Sequence, residues 1–450
     1  MSNRQFDPSL IAVRQCGPKV LVMDKVTGRS VYVPGSKKRH LSLLHESGSG
    51  LTPEIKAARD LVIRELSDSG LGILSQPRFQ TLNTLILKLT ASCNYSCSYC
   101  YDFTGSNEQQ YMDTHVALEA LRQSLEICDG HLQVIFHGGE PFLAFELIRR
   151  IVSYGKEMAS AAGKKIMFNG QTNLSLLTGD SVSFSEDNNI FWGFSLDGDA
   201  LLNDASRKTK NGAGTHKRFL DAVRKFPRFV KQCGVKATIT SVNHGSLLEM
   251  SHYFRSLGVK GWDWSLFQDA GRGKCKPFNY DAGILCASWN DLFDKVLEGE
   301  FDGFSLWPVL KYLENFIYGA GRVMCIRKDC GAARDVVSVT AGGDIKACDC
   351  LDADRPYAVL GNIRDVGIAE AMDSYPAHLV RSRNVLDGPC GDCIWVPICG
   401  GTCLAHCDDL NGINGKECLL TRNAYNRISE HLARSPRLLE YWNSCHESRT

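Results

Sequence analysis

Three cysteines stand within one short stretch, Cys93-Asn94-Tyr95-Ser96-Cys97-Ser98-Tyr99-Cys100, with Tyr101 directly behind. Three thiolates on one loop can hold three irons of a cubane cluster. The fourth iron is then left without a protein ligand, and an open metal position is what a catalytic centre needs and a structural site avoids. With one ligand borrowed from elsewhere, the same loop makes a zinc knuckle. A second concentration lies towards the C-terminus: Cys390-x2-Cys393-x5-Cys399-x3-Cys403, then Cys418, with Cys325, Cys330 and Cys348 upstream. CxxC pairs of this kind suit tetrahedral zinc as well as iron–sulfur clusters. The chain holds 19 cysteines, an odd number. Charges stand where an export signal would need its apolar stretch, so these thiols read as metal ligands or catalytic groups rather than a disulfide framework.

The elements that must position the first loop are a run of strands and helices from Thr81 to about Gln268. Candidate strands are Leu82–Leu89, Leu132–His137, Lys165–Asn169, Ile190–Ser195, Val235–Thr240 and Gly261–Phe267, with helical patterns between most of them. Six such units argue for an α/β fold with a parallel sheet, open or curled into part of a barrel. Ligands gather at the carboxyl ends of strands in these folds, and the cysteine loop directly follows the first strand. Residues 1–78 read as a separate small unit, a hairpin (Lys19–Asp24 with Arg29–Val33) followed by helices, which suits a winged-helix-like module. The barrel is expected over 79–274, a helical bridge over 275–324, and a cysteine-dense, loop-rich region over 325–450 that contains one hairpin around Ala341-Gly342-Gly343-Asp344. The 450 residues are 44% hydrophobic and carry a formal net charge of +1. Nothing there suggests nucleic-acid wrapping, and no apolar run approaches a membrane span. A soluble cytoplasmic protein is the expectation.

The CxxxCxΦC spacing, with Tyr99 as the aromatic, resembles the radical S-adenosylmethionine (SAM) superfamily. The likeness continues at His137-Gly138-Gly139-Glu140-Pro141, similar to the family's GGEP segment, which holds the SAM amino group. Gln171-Thr172-Asn173 and Ser195-Leu196-Asp197-Gly198 resemble the segments that approach the nucleoside and methionine parts of SAM. Arg207 stands where this branch often has an arginine able to pair with the SAM carboxylate. Read without the family, the glycines make a turn and Asp197 caps a helix. One departure is Leu174, where the family pattern has glycine.

The C-terminal cysteines resemble the SPASM extension of these enzymes: Cys330, twelve residues, Gly343, four residues, Cys348, then the CxxCx5Cx3C run and a last cysteine. The resemblance implies three 4Fe–4S clusters. One sits on Cys93, Cys97 and Cys100 and binds SAM. One auxiliary cluster uses Cys325, Cys330, Cys348 and Cys403, and the other Cys390, Cys393, Cys399 and Cys418, with Cys350 and Cys407 near enough to compete. It also implies a low-potential electron donor such as flavodoxin or ferredoxin, and a 5′-deoxyadenosyl radical that abstracts a hydrogen atom from the substrate. Asp349 follows Cys348 at the position of a catalytic aspartate in the anaerobic sulfatase-maturase branch, where it can take a proton as the product is oxidised; an ordinary turn aspartate is the other reading. The N-terminal unit resembles the leader-binding elements of ribosomal peptide maturases, and Lys37-Lys38-Arg39 beside it can meet acidic leader residues. The expected function is therefore a maturase that installs a thioether or carbon–carbon cross-link on a precursor peptide. A sulfatase maturase and a non-enzymatic zinc-binding interaction protein are the rival readings.

Overall fold

The computed structural model describes residues 6–45, 52–72, 81–102, 110–319 and 323–447. The first unit is a three-stranded antiparallel sheet of β1 (Ile11–Cys16), β2 (Lys19–Asp24) and β3 (Ser30–Pro34), in that order. Sequence reading found the β2–β3 hairpin but not β1. Its signal is Gly17-Pro18: Gly17 at φ +55° makes the tight turn that pairs Cys16 with Lys19. Buried Asp24 closes the next turn by accepting from Val26 N and Thr27 N, and its other oxygen accepts from Gly72 N at 2.8 Å. The helix Pro53–Asp68 starts on Thr52, which caps Ile55 N, with proline in its first turn. Its Val62 and Leu66 pack with Ile11, Val20, Val22, Leu41 and Leu44 into a core of the unit's own. Lys37 is occupied by Glu65 at 2.7 Å, so of the expected basic run this side chain is an intramolecular partner. The stretch expected to link this unit to the barrel, Ser69–Pro77, lies outside the described residues from 73 on.

The second sheet has ten strands. β4 (Thr84–Thr90), β5 (His131–Gly138), β6 (Lys165–Thr172), β7 (Phe191–Ser195), β8 (Gly234–Ile239) and β9 (Gly261–Leu266) lie side by side in chain order, all parallel. These are the six expected strands, and the fold is the expected α/β partial barrel. Helices cover one face: Val116, Ala117, Ala120, Leu121 and Leu125 of Thr114–Ile127 repeat at helical spacing and are buried. One expected helix, Thr215–Lys231, is two (His216–Lys225 and Pro227–Gln232), because Pro227 cannot continue the first and opens the second.

The sheet runs across the boundaries expected at 274 and 324. The short β10 (Ser305–Leu306) pairs with β9, and β11 (Val336–Val339) pairs in parallel with β4. β12 (Asp344–Lys346) and β13 (Val359–Asn362) then continue antiparallel. The hairpin of the cysteine-dense region thus forms the edge of the barrel sheet beside its first strand. That shared sheet fixes the turn after β12, Cys348-Asp349-Cys350, relative to the cysteine loop after β4. Among the described residues no helix is long and apolar enough to cross a membrane.

Candidate active site at the cysteine loop

The turn after β5, Asn173 and Asp197 converge on the loop Cys93–Cys100 and the residues that launch it. Gly139 N and Glu140 N donate to the carbonyls of Thr90 and Ser92 at 2.7 and 2.9 Å. Asn173 Nδ2 donates to Asn94 Oδ1 at 2.9 Å, and the Tyr99 hydroxyl donates to Asp197. Ser96 N and Ser98 N donate to Lys208 and Ser206 carbonyls. Arg272, just after β9, donates to the carbonyls of Cys97 and Cys100. Sequence reading missed Arg272; its signal is Gly271, whose φ of +55° lets backbone pass where a Cβ would meet Cys100 O at 2.5 Å.

The three thiols of the loop are mutual neighbours, and Tyr95 N donates to Cys93 Sγ at 3.4 Å. Burial pushes Cys93 up to about 12 and Cys100 to about 11, and raises Cys97 as well. Three half-buried thiols from one short loop stand together at the carboxyl end of β4, a soft donor set that leaves a fourth metal position open. The loop fits an iron–sulfur cluster on that ground.

The glycines have a packing reason. A Cβ on Gly139 would lie 2.0 Å from Ser92 O, and Gly138, at φ +115°, would put one 2.5 Å from Thr90 O. They bring the end of β5 against the backbone that launches the cysteine loop, rather than only clearing room for a ligand. Gly139→Ala is therefore expected to cost about 2–3 kcal/mol, because backbone cannot step aside as a side chain can; a urea midpoint unchanged from wild type would contradict this.

Glu140 is buried, with Phe142 N, Thr172 Oγ1 and Asn173 N all donating to its carboxylate. It fastens the end of β6 to the end of β5, and Pro141 is buried behind it. Burial outweighs those donors and raises the carboxyl to about 7. A raised acid binds its proton more tightly when folded. Its stabilising contribution is thus full below the unfolded value of 4.5 and declines as pH rises to about 7, by on the order of 3 kcal/mol. Urea midpoints of apo wild type against Glu140→Gln across that window measure it, and a flat difference would mean the carboxylate stays ionised.

Asp197 is fully committed: Arg207 Nε at 3.0 Å and the Tyr99 hydroxyl reach one oxygen, and Thr238 N reaches the other at 2.9 Å. Arg207 lies over the Tyr99 ring at 5.5 Å. This buried pair locks the aromatic of the loop, so the Arg207 Nε is held by protein and not open to a carboxylate ligand. Gln171 Nε2 donates to Ser195 Oγ at 2.9 Å across β6 and β7. Leu174, in place of the family's glycine, is buried at φ +61°, so a leucine here occupies the left-handed conformation that glycine adopts freely.

A second group faces the loop from the shared sheet edge. Tyr101 donates to Asp349 Oδ2 at 3.0 Å, while Lys88 of β4 and Lys346 of β12 both donate to Asp349 O at 3.3 Å. Lys88 also pairs with Asp102. Burial works to raise the Asp349 carboxyl, but His137, Lys88, the Tyr101 hydrogen bond and Lys346 outweigh it and hold it below the usual aspartate value. His137 Nδ1 is buried with no partner among the described residues, an unfilled polar position beside this carboxylate. Lys88 and Lys346 were not singled out from sequence, and Tyr101 and His137 stood there only as flanks of their motifs; the side-chain roles of all four emerge once β4, β5 and β12 share one sheet.

The remaining cysteines gather in two sets. Cys325, Cys330, Cys348 and Cys403 are mutual neighbours, with Cys350 beside Cys348 and Cys403. Cys390 neighbours Cys393 and Cys418, and Cys393 neighbours Cys399. Cys407 lies near Cys390, with Arg383 donating to its sulfur at 3.6 Å. Arg383 also donates to the carbonyls of Leu410, Thr402, Gly401 and Gly412, knitting these loops together.

Residues 87–246 match the Radical SAM superfamily. The chain carries a radical SAM domain, and relatives it matches along most of its length are sulfatase-maturating enzymes. It is 24% identical over 382 residues to the cysteine-type anaerobic sulfatase-maturating enzyme of Clostridium perfringens, covering 81% of this chain and 99% of that one. The serine-type enzyme of Bacteroides thetaiotaomicron is 24% identical over 73% of this chain and 83% of that one. Among solved folds, anSMEcpe with bound AdoMet superposes at TM-score 0.66 and 21% identity, over 77% of this chain and 98% of that one. Streptococcus suis SuiB bound to precursor peptide SuiA superposes at TM-score 0.56 and 16% identity, over 92% and 99%.

Proposed function

We propose that the protein is a peptide maturase that binds a leader-bearing, ribosomally made precursor and installs a thioether or carbon–carbon cross-link in it. The N-terminal unit carries this reading. It is a small sheet-and-helix module with its own core, of the kind that takes a peptide as an added strand. It docks on the cysteine-rich half, with Arg14 over Trp395 at 5.3 Å. The broader coverage of the peptide-bound SuiB fold, 92% against 77%, supports the same reading.

Cys93, Cys97 and Cys100 are the proposed ligands of the SAM-binding 4Fe–4S cluster, and the two other cysteine sets of two auxiliary clusters. Bound cluster and SAM supply the 5′-deoxyadenosyl radical that removes a hydrogen atom from an unactivated C–H bond. Gly138–Pro141, Gln171, Asn173 and Ser195 line the proposed SAM site, with Asp197 and Arg207 holding its wall. Asp349, kept ionised by its neighbours, takes the substrate proton. A low-potential protein such as flavodoxin or ferredoxin is the proposed electron source.

Asp349 also favours a second reading, oxidation of a cysteine or serine to formylglycine, since the sequence relatives are sulfatase-maturating enzymes. The deciding experiment incubates reconstituted enzyme, SAM and reductant with a leader-bearing precursor peptide, its leaderless core, and a cysteine-type sulfatase peptide. Loss of two hydrogens from the first alone supports the cross-linking maturase. An aldehyde on the sulfatase peptide, with the precursor untouched, overturns it.

A further inference from the structure

Five thiols converge where a cubane cluster can take four. Cys348 Sγ, Cys350 Sγ and an oxygen of Asp349 all lie within 4.8 Å of one another, and no other group of His, Cys, Asp or Glu among the described residues gathers three ligand atoms so closely. Both thiols stand 3.6 Å from the same atom, Asp349 Oδ1. A cubane presents its irons at four corners, and its terminal thiolates diverge from the centre. Two thiols gathered at one carboxylate oxygen therefore address one corner.

We infer that Cys348 and Cys350 are alternative ligands to a single iron of the first auxiliary cluster, with Cys348 bound in the resting protein and Cys350 in reserve. The inference rests on the proposed reading that Cys325, Cys330, Cys348 and Cys403 hold that cluster. Cys348 is the resting ligand because it neighbours Cys325, Cys330 and Cys403. Cys350 is set towards the barrel, near Tyr101 and Lys88, with its carbonyl tied by Gln268 at 2.7 Å. While Cys348 is on iron, Cys350 is the thiol left to donate to Asp349, so the reserve ligand also holds the carboxylate from the side opposite Tyr101. Among the described residues no comparable pair of thiols gathers at Cys330.

The test is iron, acid-labile sulfide and EPR of full-length protein after anaerobic reconstitution. Wild type is expected to hold about 12 irons, three cubanes of four. Cys348→Ala and Cys350→Ala should each keep that count and show no three-iron signal on oxidation beyond that of wild type, whose SAM-binding cluster already has one iron without a protein ligand. Cys330→Ala and the double variant Cys348→Ala/Cys350→Ala should lose a whole cluster, a third of the iron, or show a three-iron signal above the wild-type level. Cys348→Ala behaving like Cys330→Ala would overturn the inference, as would Cys330→Ala indistinguishable from wild type, since no corner would then depend on a thiol. Wild type holding only about 4 irons is a separate result, which removes the auxiliary clusters themselves.

Discussion

Replacing Cys97 by alanine is expected to abolish reductive cleavage of SAM and to remove about four irons per chain, leaving the iron of the C-terminal sets in place. Cys97 is the middle ligand of the loop, its thiol beside both Cys93 and Cys100. Two remaining thiols cannot hold three corners of a cubane. Losing an outer-shell partner of a metal site already costs 10–100-fold in affinity or activity, so loss of a ligand should exceed about 100-fold. The fold itself should survive. The loop is held by backbone hydrogen bonds to Ser206 and Lys208, by Arg272, and by the Tyr99–Asp197–Arg207 lock, none of which uses the Cys97 thiol. Release of 5′-deoxyadenosine, iron content and the far-UV spectrum measured on one preparation separate these effects. Normal turnover would remove the loop from the chemistry altogether, and loss of all iron together with helicity would mean the loop is a folding element first.

The six barrel strands were legible because each is a short β-rich run and the helices between them keep a 3.6 period, which burial of one face enforces. The convergence of the cysteine loop with Gly138, Asn173 and Asp197 was legible for a related reason: parallel strands put their carboxyl ends together. Side-chain detail was not. Asp197 and Arg207 look available in sequence, and only the fold reveals that Tyr99 and Thr238 share the carboxylate with the guanidinium. β1 escaped because its Arg14 and Gln15 are polar where a fully buried strand would be apolar; its core contacts are Ile11 and Cys16 at the two ends. The parallel pairing of β11 with β4 joins residues some 250 positions apart, and no local pattern encodes such a contact. Asp349 could be singled out only by its neighbour Cys348. Its partners Lys88, Tyr101 and Lys346 come from two strands and a loop that the shared sheet brings together.

Those partners set the last expectation. Asp349→Asn should leave 5′-deoxyadenosine formation running while product formation falls by about 10²–10⁴-fold, the range of a lost general base. Asparagine keeps the size of the side chain and an oxygen that can still accept from the Tyr101 hydroxyl, and the two lysine contacts are to the backbone carbonyl, which the substitution does not alter. What disappears is the negative charge that His137, Lys88 and Lys346 now stabilise. Tyr101→Phe tests the positioning separately: it leaves the charge and removes one hydrogen bond, so its effect should be smaller, about 1 kcal/mol or several-fold in rate. An Asp349→Asn protein that loses 5′-deoxyadenosine and product in parallel would place the residue in the architecture between the cysteine loop and the shared sheet edge, not at the substrate. If the two yields separate, the carboxylate of the residue that directly follows a cluster-ligand cysteine acts on the substrate after the hydrogen atom has left.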